Sequence, residues 1–178
     1  IIAIQSLVAA ATEGKPSDSN SIANEVYDFL TKQRDGQLSY ECPRDPSVLD
    51  TIHLARAQLM HVAGNNEKSR QAATELLKQV PASPLVREAT RLLAVIAWTD
   101  GSYRLASSYV DTLAEAKEGI PRDVLRMVSA DCLFLSHDYN LAEKAYATVQ
   151  NETAGPDIAY TAFHQRVLSL LSSSDDFK

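Results

Sequence analysis

Tyr103-Arg104-Leu105-Ala106 returns thirty-six residues later as Tyr139-Asn140-Leu141-Ala142, and this self-match decides how the rest of the chain reads. A turn-forming stretch precedes each copy, Asp100-Gly101-Ser102 in the first and Ser136-His137-Asp138 in the second. Ahead of each turn runs an apolar pattern with a small residue at the same offset, Ala94 and Ala130. After the first turn, Leu105, Ala106, Tyr109, Val110 and Leu113 recur at three- and four-residue spacing. That is one face of an α-helix, so each copy reads as helix, turn, helix. A period of this length marks a stacked helical array, because one helix pair alone cannot bury both its faces.

Working outward, the same offsets recur around Ala57, with Gly64 at the turn and Ser69 beyond it. Pro81, Pro121 and Pro156 close or follow the three units. These residues resemble the tetratricopeptide repeat family, whose units of about 34 residues carry small residues at positions 8 and 20, a turn near 15 and a proline near 32. With Ala57, Ala94 and Ala130 at position 8, position 15 is Gly64, Gly101 and His137, and position 20 is Ser69, Ala106 and Ala142. Position 24 is then Ala73, Val110 and Tyr146, and position 27 is Leu76, Leu113 and Val149. Small residues at 8 and 20 let two antiparallel helices approach, while 24 and 27 fill the groove left for the next unit. An earlier unit fits with Ala11, Ala23, Tyr27 and Leu30 at positions 8, 20, 24 and 27.

The resemblance implies an all-α fold, a right-handed α-solenoid of about four helix-turn-helix units, roughly 4–34, 50–83, 87–120 and 123–156, with a terminal helix over 157–172. Residues 35–46, with Gly36, Cys42, Pro43 and Pro46, read as an inserted irregular loop. The helices are expected over 2–13, 20–33, 47–63, 66–80, 84–99, 102–118, 121–136, 140–151 and 157–172. Pro46, Pro84, Pro121 and Pro156 sit near helix starts, where a missing amide costs little, and Ser83 and Asp123 suit a cap or an acidic first turn. The chain departs from the family in spacing, 36 to 37 residues between units. It also departs at position 4, which holds His53, Thr90 and Arg126, and at position 11, which holds Met60, Ala97 and Leu133.

In this family the first helix of each pair lines a concave face that grips peptides. Carried over, the candidate partner-binding residues are Gln58 and His61; Arg91, Val95 and Trp98; and Met127, Asp131 and Phe134. His61, Trp98 and Phe134 share position 12 and are expected along one ridge. Two roles stay open for Trp98, Phe134 and Met127: contact with a partner, or filling between adjacent first helices. Arg91 with Glu88 reads equally as solvated helix surface. The family's carboxylate clamp is missing in this register, since position 5 is Leu54, Arg91 and Met127 and position 9 is Gln58, Val95 and Asp131.

Composition points the same way. The chain has 178 residues, 45% hydrophobic and 22% charged, with only 6 Gly and 7 Pro, which favours long helices over many short strands. A formal net charge of -6 speaks against a nucleic-acid partner, because phosphate binding wants a basic face. No apolar run approaches the roughly 18 residues of a membrane span, so no membrane insertion is expected. The first residue, Ile1, leads to the expectation of a piece of a longer protein. Cys42 and Cys132 lie ninety residues apart with no Cys-x-x-Cys spacing, which leaves two readings open, a pair of free thiols, the better supported, and one bridge between them.

Chemistry is thinly represented. His53 and His61 are eight residues apart, too far for a chelating pair, and His137 and His164 stand alone. No phosphate loop, zinc-protease motif or nucleophile elbow occurs, so no cofactor, metal or catalytic residue is expected. Asn151-Glu152-Thr153 is a glycosylation sequon, relevant only to a secreted eukaryotic protein. The expected function is a scaffold or adaptor holding a peptide or helix of a partner protein. The rivals are self-association or stacking through apolar ends such as Val167, Leu168, Leu170 and Leu171, and an accessory domain of a regulator or enzyme.

Overall fold

The computed structural model of the chain describes residues 46–116 and 119–174. The expected helices over 2–13 and 20–33, most of the loop over 35–46, and Cys42 lie outside the described residues. Those described form helices α1 (Pro46–Val62), α2 (Asn66–Gln79), α3 (Val86–Thr99), α4 (Tyr103–Ala114), α5 (Arg122–Leu135), α6 (Tyr139–Glu152) and α7 (Pro156–Ser173). No strand occurs among them. The chain divides inside α3 into two compact units, Ile1–Leu93 and Ala94–Lys178. Helices adjacent in sequence pack on one another: α1 on α2, α4 on α5, α5 on α6 and α6 on α7.

The three turns that suggested a repeat share one backbone solution. Gly64, Gly101 and His137 all take a positive φ, at 73°, 73° and 63°. In each turn the amide of that residue donates to the carbonyl three back, from Gly64 to His61, Gly101 to Trp98 and His137 to Phe134, at 3.0, 3.1 and 3.0 Å. The following amide reaches five back, from Asn65 to Met60, Ser102 to Ala97 and Asp138 to Leu133, at 2.8, 2.8 and 3.0 Å. This is how a helix end satisfies its last carbonyls, and the left-handed residue it requires is easiest for glycine. His137 adopts it at a backbone cost that Gly64 and Gly101 avoid.

In the unit ending at Leu93, α1 and α2 meet at small residues. Ala57, Ala72, Ala73 and Leu76 are fully buried. Ser69, at the second small position, is also fully buried and donates to the carbonyl of Ala57 at 2.7 Å. This hydroxyl replaces the methyl that Ala106 and Ala142 supply later. The interior here is also polar. His53, Arg56 and Asp50 are buried; His53 Nε2 lies 3.3 Å from Gln79 Oε1, and Arg56 approaches Glu75 at 3.6 Å. Asn65 caps α2 by accepting from the amide of Lys68 at 3.1 Å.

In the unit beginning at Ala94, the cores are small and apolar. Ala94, Val110, Leu113, Ala114 and Leu125 form one cluster; Ala97, Ala106 and Cys132 form another; Ala130, Ala142 and Tyr146 form a third. Positions 8, 20, 24 and 27 are therefore buried in every unit described, as the sequence pattern predicts. Ser107 and Ser129 share a buried hydrogen bond of 2.8 Å. Arg166 Nε of α7 donates to Glu143 of α6 at 2.6 Å.

The helix over 102–118 is shorter than predicted and ends at Ala114. There the amide of Ala116 turns to the carbonyl of Leu113 at 3.2 Å, a tightened last turn that stops α4. The other ends agree with the sequence reading to within two residues. Pro46 and Pro156 open α1 and α7, and Pro121 directly precedes α5. Ser83 lies ahead of α3, where its Oγ accepts from the amide of Leu85 at 3.0 Å.

Candidate functional site

The eight candidate residues fall on three helices. Gln58 and His61 are half-buried on α1, and His61 Nδ1 lies 3.3 Å from Asn66 Oδ1 across the turn. Arg91 is exposed on α3, 3.7 Å from Glu88, a loose surface pair of little energetic weight. Val95 and Trp98 follow on α3 and remain 43% and 40% exposed. Met127, Asp131 and Phe134 are half-buried on α5.

Each position-12 side chain is held by the residue five further on. Trp98 meets Tyr103 edge to face, centroids 5.5 Å apart at 77°, and Phe134 meets Tyr139 at 5.3 Å and 64°. His61 and Asn66 make the polar version of the same pair. The helix turn places these partners together, because the left-handed residue between them reverses the chain. The edge-to-face contacts fix the rings, and part of Trp98 remains in solvent. Tyr139 is held further by His137, whose Nδ1 lies 2.7 Å from the tyrosine hydroxyl.

Two candidates are engaged inside the fold. Met127 packs against the cluster of Ala130, Ala142 and Tyr146. Asp131 accepts a hydrogen bond of 2.6 Å from the hydroxyl of Tyr146. Burial lifts the Asp131 carboxyl above its ordinary range, and the Tyr146 bond only partly opposes this. Burial likewise pushes the free Cys132 thiol up to about 11, with the charges of Asp131 and Asp111 adding to the effect. A thiol held so protonated in a packed core is a poor nucleophile.

Several features escaped sequence reasoning. Asp50 and Asp123 both occupy position 1, and each accepts a hydroxyl from the segment after its unit's second helix. Ser83 supplies it in one case and Thr153, at 2.7 Å, in the other. The Thr153 bond holds the Asp123 carboxyl below its ordinary range. Arg104 pairs with Asp138 across successive turns, and that guanidinium holds the Asp138 carboxyl low. The signal for the aromatic pairs was present: Tyr103 and Tyr139, which open the self-match, each stand five residues after a position-12 aromatic.

Three open clefts accompany these residues. One of about 520 Å³ is lined by the His137–Leu141 stretch with Ser172 and Ser173. A second, of about 290 Å³, lies among Arg122, Arg126, Glu152 and Thr153, where both arginines are already paired with glutamates. The third, of about 400 Å³, is mostly apolar and is lined by Val80, Pro84 and Leu85 beside Asp50. Among the described residues no three His, Cys, Asp or Glu side chains gather as metal ligands, and no helix is long and apolar enough to cross a membrane. Comparison with protein-family models, curated proteins and solved structures returned no match for this chain.

Proposed function

We propose that this chain is a protein-interaction scaffold of the tetratricopeptide kind, which holds an extended peptide or a helix of a partner protein along the first helices of its units. The observation that carries this reading is Trp98. A tryptophan used only as filler would be buried, yet this one keeps 40% of its surface in solvent while Tyr103 fixes its orientation. Aromatic side chains of this kind dominate the energetics of protein interfaces. Val95 stands one turn before it, exposed to a similar degree, and Phe134 repeats the arrangement at the next turn.

The finer architecture belongs to the same proposal: membership of the family, and stacking of the units as a right-handed solenoid with the ridge on its concave side. The identical turns and the burial of positions 8, 20, 24 and 27 support it. Asp131 and Met127 act in this reading from behind, setting the shape under the surface, and Val95, Trp98 and Phe134 make the contacts.

The test is affinity capture of partners from the native organism's lysate, comparing wild type with Trp98→Ala and with Leu105→Ala. Leu105 is equally exposed but lies on a second helix. A partner retained by wild type and Leu105→Ala, and lost at least tenfold by Trp98→Ala with helicity unchanged, supports the reading. Undiminished capture by Trp98→Ala contradicts it.

A further inference from the structure

Helix α7 turns two faces to different surroundings. One is packed: Ala162 and Ser169 are fully buried, and Arg166 is tied to Glu143 of α6. The other carries Tyr160, Phe163, Val167, Leu170 and Leu171, all exposed, with Tyr160 at 73% and Phe163 and Leu170 at 50%. Tyr160, Phe163, Val167 and Leu170 are spaced three, four and three residues apart. That is the a and d spacing of a narrow coiled-coil seam, which meets another helix. No Asp, Glu, Lys or Arg interrupts it.

Area and side-chain size indicate which helix. The stripe, with the exposed Leu168 beside it, leaves on the order of 600 Å² of apolar surface in solvent, the upper end for a monomer's largest patch. Two such faces together would remove about 1,200 Å², the lower edge of specific interfaces. The side chains are graded along the seam, with rings at 160 and 163 and aliphatic groups at 167, 170 and 171. A parallel pair would crowd ring on ring and leave thin aliphatic layers. An antiparallel pair about an axis near Gln165 sets Tyr160 against Leu170 and Phe163 against Val167 of the other copy. Each layer then occurs twice, as a twofold interface requires, with even volume throughout. The helix dipoles also run in opposition.

We propose that α7 pairs antiparallel with α7 of a second copy, making the protein a homodimer through a seam of Tyr160, Phe163, Val167 and Leu170. This goes beyond the partner-binding reading and depends on neither Trp98 nor Phe134.

The test is sedimentation equilibrium of the full chain over about 1 to 200 µM, the range suited to an interface this small. Wild type is expected to pass from monomer to dimer mass. Phe163→Glu and Val167→Lys, both at exposed positions, should each weaken association at least tenfold with an unchanged circular dichroism spectrum. Mixed in equal amounts, these two variants should recover association, because antiparallel pairing places the new charges opposite each other. A wild type that stays monomeric throughout, including because something else covers the stripe, overturns the proposal. So does undiminished dimer in both variants. Recovery by Phe163→Glu with Phe163→Lys, but not with Val167→Lys, would establish a parallel pair and equally overturn it.

Discussion

The α1–α2 and α5–α6 pairs share a backbone plan and fill it differently. Ala57 and Ala130 are fully buried at the same register, and each pair turns through a left-handed residue, Gly64 in one and His137 in the other. Each carries an aspartate at position 1, Asp50 or Asp123, bonded to a hydroxyl beyond its second helix. Yet position 24 is Ala73 in the first pair and Tyr146 in the second, and both are buried. The pair with the small residue carries His53, Arg56 and Glu75 in or beside its interior. The pair with the large one is closed by a ring whose hydroxyl meets Asp131. The small-residue crossing and the turn set the plan, and the remaining volume admits either an ionic or an aromatic solution.

The largest expected effect comes from emptying the aromatic solution. Tyr146→Ala should cost about 3 to 5 kcal/mol in urea unfolding, since it opens a cavity and strips Asp131 of its donor. A cost below about 1 kcal/mol would mean that the second pair is not held by that ring. The ionic solution should be weaker. Arg56→Met is expected to cost about 2 kcal/mol, because Glu75 loses a partner but keeps some contact with water. Equal costs for the two substitutions would erase the distinction between the pairs.

Most of the plan was legible because it rests on side-chain size at fixed intervals, which a sequence displays directly. Ala57, Ser69, Ala73 and Leu76 declare their burial by spacing alone, as do their counterparts in the two later units. The filling was not legible. Whether Asp131 faces a peptide or the hydroxyl of Tyr146 depends on how far α5 and α6 are rotated about their axes, and spacing within one helix does not fix that. His53 shows the same limit, since a polar residue at position 4 reads as surface until Gln79 and Glu75 are brought beside it by the fold. The early end of α4 had no sequence signal either: Glu115 and Ala116 are good helix formers, and no proline interrupts them. At the candidate site the position-12 residues were legible as types and offsets, whereas the partners five residues on that hold them became visible only once each turn was closed.

The smallest expected effect sharpens the second pair through pH. Burial raises the Asp131 carboxyl in the folded chain, so the folded state binds that proton more tightly than the unfolded state. Stability drawn from this group is present below the ordinary carboxylate value and is lost as pH rises through the raised one. Asp131→Asn keeps an acceptor for Tyr146 and removes the titration. Its stability relative to wild type should therefore improve from about pH 3 to pH 7. A relative stability that falls over the same range would show that the charged carboxylate is favoured in the fold.

Three turns with different sequences share one backbone. Backbone NMR of the ¹³C,¹⁵N-labelled chain tests it most directly, through the intraresidue amide–Hα NOE and the Cα shifts at Gly64, Gly101 and His137. Positive φ is expected at all three, with helical shifts on both sides of each. A negative φ at His137, or helical shifts running unbroken from Leu135 to Tyr139, would contradict it.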